Sequence, residues 1–350
     1  MNVRACTLAI FLISLIVFPG LASVEQDYEK IDIHARQAPE KLQYDVKKLT
    51  AYLVKPARND YEKVRSFYVW IADNIAYDVQ LFRHYNPSRY QQILPDDVLK
   101  RKKAVCQGYA DLFQEMCRLA NISSYVVGGY SKGFGYTQKK VFTTADHAWN
   151  VVRLENQWHL VDVTWGSGGL NDKMRFVKEF SDDYFLTDPK VFVINHLPLE
   201  PMWQLLECPV PVTAYAKGDA AVQQHLTKSP QQCLDYAALI ASYESKPAVE
   251  RELFAAEQAY AFNPENPVVL ARGYMNIANQ LMNSIPRQLS SREAIVEATA
   301  TQEEAVTYLK EAEQLLNKVK DGSADPEKQL IKANLKTSEQ NLKGLKNALK

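Results

Sequence analysis

The sequence lacks an excess of charge of either sign. Lysine and arginine together number 41, and aspartate and glutamate together also number 41. A global excess of one sign would favour nucleic acid or an anionic membrane as a partner. We therefore expect no nucleic-acid partner, and we look for the function in particular residues instead.

Long apolar runs are missing too, apart from one near the N-terminus. Residues 8–18 are apolar except for one serine, Arg4 precedes them, and Gly20 and Ala22 place small residues before a cleavage point. This pattern is typical of a secretory signal peptide over residues 1–23. The run is too short for a comfortable membrane span, although an uncleaved anchor is the alternative. We expect a periplasmic or secreted protein with no stable membrane span after signal removal.

Cysteine is scarce, and only Cys106, Cys117, Cys208 and Cys233 follow the signal segment. The first two share a predicted helix at a separation of about 16 Å, which is too far for a disulfide. A bridge between Cys208 and Cys233 is the pairing that leaves Cys106 free and Cys117 in the core. An exported chain allows that bridge, but spacing alone does not establish it.

Cys106 stands at the start of a predicted helix. Apolar residues recur at spacings of three and four from Tyr109 to Leu119, which indicates one buried helical face. The free N–H groups and the dipole of a helix N-terminus favour an anion, and a cationic histidine nearby can lower a cysteine pKa well below 7. Cys106 is therefore a candidate nucleophile. The alternative is a small buried apolar residue.

Two short apolar stretches, 147–154 and 158–163, are typical of strands. The dipeptide Glu155-Asn156 between them fits a two-residue hairpin turn, in which asparagine tolerates positive φ better than glutamate does. The resulting antiparallel register pairs position 154 with position 157.

That register places His147 and Asp162 on one face of the hairpin. Diagonal neighbours of this kind lie roughly 7–8 Å apart at the backbone, which is within side-chain reach. An aspartate that accepts from one imidazole nitrogen leaves the other nitrogen for a thiol. The alternatives are a core histidine with its hydrogen bonds satisfied and an aspartate at a strand end.

Three motifs now form a recognisable set: Val-Cys-Gln-Gly-Tyr-Ala at 105–110, His-Ala-Trp-Asn at 147–150 and Val-Asp-Val-Thr-Trp at 161–165. In this order they resemble the transglutaminase-like superfamily of papain-type cysteine enzymes. Within it they resemble the branch that contains the kyphoscoliosis peptidase and fungal cytokinesis-associated proteins. The resemblance covers roughly residues 60–207. It implies a catalytic triad of Cys106 as nucleophile, His147 as base and Asp162 as orienter.

The resemblance also implies an α+β fold, with the helix that carries the cysteine packed on an antiparallel sheet that carries the histidine and the aspartate. No papain-type glutamine for the oxyanion hole matches, because Lys100 stands six positions before Cys106. The backbone N–H of Cys106 could supply one donor. No cofactor and no metal are implied.

The chain divides by composition into four parts. The signal peptide spans 1–23, the transglutaminase-like domain 24–208, and a linker rich in proline 209–229. Residues 230–350 show helical spacing and contain no tryptophan, which predicts an all-α domain. The helical domain is a candidate surface for a protein partner. Glycine-containing loops at 131–144 and 166–173 could border the active-site cleft.

Two functions from different classes follow. The first is an exported cysteine enzyme that cleaves or transfers acyl groups of peptide amides in a protein or peptide substrate. We favour a protease or amidase over a transglutaminase because the branch includes a peptidase. The second is a non-catalytic exported scaffold or binding protein that uses the same domain and the helical tail.

Overall fold

The computed structural model describes residues 27–84, 93–228, 234–320, 322 and 324–350. The predicted signal peptide lies outside the described residues. The described part has an α+β fold, as predicted: an antiparallel sheet with helices, followed by a region that is entirely helical.

The helices of the first two hundred residues, in chain order, are α1 Glu29–Arg36, α2 Val46–Leu53, α3 Asp60–Asn74, α4 Val79–Arg83, α5 Pro95–Arg101, α6 Cys106–Leu119, α7 Val163–Gly166 and α8 Pro189–Phe192. The later helices are α9 Val212–Ala216, α10 Asp219–Leu226, α11 Tyr236–Ser245, α12 Ala248–Phe262, α13 Pro267–Ser284, α14 Arg292–Leu316 and α15 Asp325–Ala348. The strands are β1 Ala76–Tyr77, β2 Lys103–Ala104, β3 Ser124–Ser131, β4 His147–Leu154, β5 Gln157–Val161, β6 Gly168–Leu170, β7 Phe176–Lys178, β8 Phe185–Thr187 and β9 His196–Pro198.

The central sheet has five strands in the order β8-β5-β4-β3-β9, and every neighbouring pair is antiparallel. Helix α6 packs against β4 and β3, and α3 lies beside α6. The apolar face of α6, including Tyr109, Leu112 and Phe113, is fully buried in this core. The helical face expected from the spacing of its apolar residues is therefore the face that holds α6 on the sheet.

The hairpin of β4 and β5 has the predicted register. Leu154 pairs with Gln157, and both turn residues, Glu155 and Asn156, have positive φ. The second strand is shorter than predicted, because it ends at Val161 and the predicted position 163 begins α7. Asp162 ends the strand by capping that helix, and this hydrogen bonding replaces the last rungs of the predicted ladder.

Gly129 allows three strands to meet closely. Its position pairs with His147 on β4 and with Pro198 on β9. A Cβ atom there would lie 2.3 Å from the Trp149 ring and 2.4 Å from the Leu197 carbonyl oxygen. Glycine is therefore needed where β4 and β9 approach the same point of β3.

The segment predicted as a linker, 209–229, contains α9 and α10 and contributes buried side chains to the sheet domain. Val210, Tyr215 and Val222 pack with Tyr130 and other residues in one apolar cluster. This part of the chain is folded against the sheet rather than extended.

Helices α12 to α15 share a core of their own, whose buried members include Leu309, Leu316 and Ile331. Helix α11 belongs to a different cluster, in which Ile240 packs with Val127 on the sheet. The helical region therefore has its own core but begins on the surface of the sheet domain. Among the described residues, no helix is both long enough and apolar enough to cross a membrane.

Candidate active site

Cys106 is the first residue of α6, as predicted, and is partly exposed. The parallel pairing of β1 and β2 holds this end of the helix, with Tyr77 opposite Ala104. The Tyr109 hydroxyl donates to the carbonyl oxygen of Ile75 at 2.8 Å and ties α6 to the segment before β1. The backbone N–H of Cys106 precedes the first intrahelical hydrogen bond, so it is free of the helix ladder.

His147 opens β4, and its Nε2 lies 2.7 Å from Oδ2 of Asp162. Both side chains are buried, as expected for neighbours on one face of the hairpin. Because an ionised carboxylate only accepts, His147 donates from Nε2. Its other ring nitrogen, Nδ1, is then the one that can meet the Cys106 thiol, and the interaction with Cys106 raises the pKa of the ring.

The electrostatics of the pair favour charge on both members. Burial by itself lowers the pKa of His147, but the Asp162 carboxylate and the interaction with Cys106 raise it to about 10. Burial by itself raises the pKa of Asp162, but His147 and a second histidine, His196, hold it far below its usual range. A cationic His147 is the form that stabilises a thiolate.

Asp162 uses both of its oxygens. Oδ1 accepts from the backbone N–H groups of Thr164 and Trp165 at 2.8 and 3.1 Å, which caps α7. Oδ2 accepts from His147, and the Nε2 of His196 lies 3.0 Å from the same atom. The sequence patterns placed His147 and Asp162 together but did not point to His196, which stands 34 positions after Asp162 in the sequence.

Donor atoms of His147, Asp162 and His196 lie within 4.8 Å of one another, a spacing that a metal ion could use. The same atoms meet in pairs at 2.7 and 3.0 Å. Those are hydrogen-bond distances, so hydrogen bonding accounts for the grouping without an ion.

A cleft of about 420 Å³ opens beside His147 and Tyr77. Its apolar and aromatic walls come from Phe82, Phe134, Trp165, Leu170, Phe176 and Tyr184. Parts of the loops 131–144 and 166–173 line it, where the sequence analysis placed the possible rims. A larger open groove, of about 730 Å³, lies near Arg118 and Tyr125 and is lined by none of the three triad residues.

The charged residues that line this cleft, apart from His147, are already paired. Lys132 bonds Asp219 at 2.8 Å and has a side chain only 5% exposed. Asp146 accepts from the Ser131 backbone N–H and from Lys140. The surface left for a ligand is therefore mainly apolar and aromatic.

Tyr77 is a second residue that the sequence analysis did not single out, although it lies in a segment, 67–78, that supports the family resemblance. It lines the cleft, and it pairs with Ala104, which stands two positions before Cys106. Burial, followed by the electrostatic interaction with Cys106, raises the pKa of Tyr77 well above its usual range. Its hydroxyl therefore stays protonated and can donate a hydrogen bond.

Lys100, the residue in place of the papain-type glutamine, does not reach the site. Its side chain is 61% exposed and its Nζ bonds Asp97 at 3.1 Å. An oxyanion donor has to come from elsewhere.

The helix carrying a cysteine, with histidine and aspartate on the sheet, defines a papain-type cysteine-enzyme fold. Residues 47–163 match the family model described as the transglutaminase-like superfamily. This part of the chain is therefore a transglutaminase-like domain, and the predicted resemblance to the kyphoscoliosis peptidase branch is confirmed.

The curated relatives each match about half of the chain. The human protein named kyphoscoliosis peptidase is 42% identical over 186 residues, which are 53% of this chain and 27% of that protein. Hillarin of Drosophila melanogaster is 29% identical over 204 residues, 53% of this chain and 23% of its own length. The chain thus spans about a quarter of the length of these relatives.

Among solved structures, a crystal structure of a TGase matches with a TM-score of 0.28 and 17% identity, over 47% of this chain and 40% of that chain. At such a TM-score the likeness supports no conclusion about this chain.

Proposed function

We propose that this protein is a cysteine enzyme that hydrolyses amide bonds in a peptide or protein substrate. The observation that carries the proposal is the arrangement of Cys106, His147 and Asp162, with the carboxylate 2.7 Å from the imidazole and Cys106, at the start of α6, interacting with the same ring. The kyphoscoliosis peptidase, which resembles this domain at 42% identity, carries a name that favours hydrolysis over transfer.

The reaction uses each of the three residues in a distinct role. His147 holds the thiol proton, and the Cys106 thiolate attacks the carbonyl carbon of the substrate. The tetrahedral oxyanion receives hydrogen bonds from the Cys106 backbone N–H and from the Tyr77 hydroxyl. Asp162 accepts from the imidazole and stabilises its cationic form.

The intermediate then collapses and the C–N bond breaks. His147 gives its proton to the leaving amine, and a thioester remains on Cys106. Water attacks the thioester, His147 takes the proton of the water, and the acid leaves with the thiol restored. An amine in place of water would make the product of a transglutaminase.

The cleft favours a substrate with a large uncharged side chain near the scissile bond. Its walls are aromatic and aliphatic, and the Lys132 and Asp146 charges are held by other residues. Concave sites of this kind bind apolar groups and orient them with few polar contacts.

We also propose that the enzyme acts outside the cytoplasm. The signal-like N-terminal sequence supports this, and so does Cys208, which is disulfide-bonded. The bridge predicted from Cys208 to Cys233 involves a position outside the described residues. Disulfides persist mainly in oxidising compartments. Cell fractionation with N-terminal sequencing tests the proposal, and a cytoplasmic protein with an intact residue 1 would contradict it.

The test of activity is a peptide library followed by mass spectrometry, with and without an added primary amine. Cleavage by the wild-type protein and none by Cys106→Ala supports hydrolysis. Amine adducts in place of cleaved products would make the protein a transglutaminase. Neither product at any enzyme concentration, with Cys106 no more reactive than an ordinary thiol, would favour the scaffold function.

A further inference from the structure

A second imidazole reaches the carboxylate of the candidate triad. His196 opens β9 at the edge of the sheet and pairs with Ser131 of β3, two positions after the pairing of Gly129 with His147. Side chains two positions apart on a strand share a face. The fold thus brings His196 to the same face as His147, and both rings meet Oδ2 of Asp162.

Apart from its two polar contacts, His196 is surrounded by aromatic rings. The ring is fully buried, and its centroid lies 4.1 Å from the Phe192 ring, 4.3 Å from Trp165 and 5.2 Å from Trp149. A buried ring nitrogen needs a hydrogen-bond partner, or its burial is costly. An apolar residue would fill this space equally well, so the imidazole is explained by what its nitrogens bind.

The protons on His196 can be placed from its partners. Burial lowers the pKa of His196 to about 4, so the ring is neutral near pH 7. Asp162 accepts only, so the single ring proton is on Nε2. Nδ1 then has a lone pair, and the Asn195 atom nearest to it is Oδ1, at 2.6 Å. Two lone pairs cannot form a hydrogen bond, so we assign the Asn195 amide turned over, with its NH2 group donating to Nδ1.

A continuous chain of side chains results. Tyr184, at the wall of the cleft, interacts with Asn195, which lowers the pKa of its hydroxyl against the effect of burial, and Asn195 meets His196. His196 and His147 both donate to Asp162, and His147 meets Cys106. Since Oδ1 already accepts two backbone N–H groups, four donors hold the carboxylate, and it cannot rotate without breaking one of them.

We propose that His196 is a positioning residue, which acts through Asp162 by donating to Oδ2 and so holds the carboxylate in the plane that orients His147 toward Cys106. This proposal rests on the proposed function for the roles of the other three residues. It adds a fourth member, from the edge strand, that touches neither the thiol nor the substrate. A contact of this kind acts by fixing the residue that orients the catalytic base.

The test compares two substitutions of similar size. His196→Met fills the space without a donor, whereas His196→Gln can place an amide NH2 near the position of Nε2. We expect iodoacetamide at pH 6 to alkylate Cys106 in His196→Met roughly 10- to 100-fold more slowly than in the wild type, the rate equivalent of one hydrogen bond to a charged group. His196→Gln should recover most of the rate.

A second measurement, by NMR, does not depend on the reactivity of Cys106. In protein labelled with ¹⁵N-histidine, the ring N–H protons of His147 and His196 should both resonate far downfield, because both are donated to a carboxylate. His196→Met should remove one signal and shift the other. Asn195→Ala, which loosens the ring from outside the core, should slow alkylation by a smaller factor and serves if His196→Met fails to fold.

The outcomes separate the two proposals. A wild-type Cys106 no more reactive than an ordinary thiol would overturn the proposed function, and the ring N–H signals would still report on His196. If Cys106 in folded His196→Met is alkylated at the wild-type rate, and the ring N–H signal of His147 does not move, the role of His196 is overturned. An equal loss in His196→Gln and His196→Met would mean that the ring only fills space, which also overturns it.

Discussion

Asn263, in the joint between α12 and α13, donates from its Nδ2 to the hydroxyl of Tyr130 at 2.7 Å, across 133 positions of sequence. The same group donates to the carbonyl oxygen of Phe142 at 2.7 Å, and Asn266 donates to Tyr130 at 2.9 Å. Tyr130 precedes Ser131, which lines the cleft. The helical region is thus hydrogen-bonded directly to the strand that borders the candidate active site.

Removing this tether should destabilise the sheet domain. In Asn263→Ala the buried carbonyl oxygen of Phe142 loses its donor, which costs about 1–3 kcal/mol of unfolding free energy. Thermal and denaturant unfolding measure the effect. The control is Asn276→Ala, whose exposed amide bonds Glu252 at 3.3 Å and whose loss should change stability little. Equal stability of both variants would show that the tether contributes nothing.

Truncation after Ala221 should lower the stability of the remaining chain. It removes Ile240, which belongs to the same buried apolar cluster as Val127 and Trp203, and it removes the Asn263 tether. We expect a lower midpoint of unfolding and a tendency to aggregate. A truncated chain as stable and soluble as the full chain would show that the sheet domain does not need the helical region.

Cys106 should be the fast-reacting thiol of the two free cysteines in the described residues. Cys117 is fully buried, and burial raises its pKa far above the usual range. At neutral pH iodoacetamide should modify Cys106 at least about 100-fold faster than Cys117, because the thiolate is the nucleophile. Mass spectrometry of tryptic peptides measures both rates, and Cys106→Ala provides the blank. Comparable rates in the folded protein would contradict a thiolate at Cys106.

Within the triad, Cys106→Ala and His147→Ala should each abolish turnover, and Asp162→Asn should cost less. An asparagine keeps one acceptor oxygen, but its NH2 group at the position of Oδ2 would face donors from both His147 and His196. Each ring then has to change tautomer or lose its hydrogen bond, so we expect a loss on the order of 10–1000-fold in kcat.

The matched control for Asp162→Asn is Asp172→Asn, in the exposed connection between β6 and β7. It should leave kcat near the wild-type value, since this position lies outside the cleft lining. Full activity of Cys106→Ala on a verified substrate would make the whole mechanism wrong.

The contribution of His147 to stability should depend on pH. Folding raises its pKa from an ordinary value of about 6.5 to about 10. The stability it contributes is therefore complete below about pH 6.5 and is lost as the pH rises through the folded value. Asp162, whose pKa is depressed, contributes stability above about pH 4 and loses it on further acidification.

Unfolding free energies of the wild type and His147→Gln, compared from pH 5 to pH 10, test this dependence. The difference should be largest near pH 5 to 6 and should shrink toward pH 10. His159→Gln is the control, because burial lowers the pKa of His159 and its effect should stay constant above neutral pH. A difference between wild type and His147→Gln that grows with pH would contradict the charged His147.

The aromatic wall of the cleft should act on substrate binding more than on chemistry. Phe176→Ala removes part of that wall, so KM for a substrate with a large apolar side chain should rise roughly 10-fold, with a smaller change in kcat. Val177→Ala is the control, since Val177 is 45% exposed and does not line the cleft. A fall in kcat without a rise in KM would mean that Phe176 acts on the chemical step rather than on substrate binding.

Local chemistry along the chain determined much of what was predicted. Apolar spacing of three and four identified α6 with Cys106 in its first turn, and the Glu155-Asn156 turn set the register that puts His147 beside Asp162. These features depend on neighbours in sequence, through helix periodicity, turn geometry and strand alternation. Sequence could therefore place the three candidate residues of the triad.

Only the tertiary structure decided which other residues contact the three candidate residues of the triad. His196 reaches Asp162 because β9 returns to the edge of β3, and Tyr77 lies opposite Ala104, just before Cys106, because β1 pairs with β2 in parallel. Asp162 ends its strand to cap α7, which no alternation of apolar residues reveals. The helical region meets Tyr130 through Asn263, and this contact also joins segments far apart in the sequence. Contacts between distant segments depend on how the whole chain packs, and local spacing carries no information about that packing.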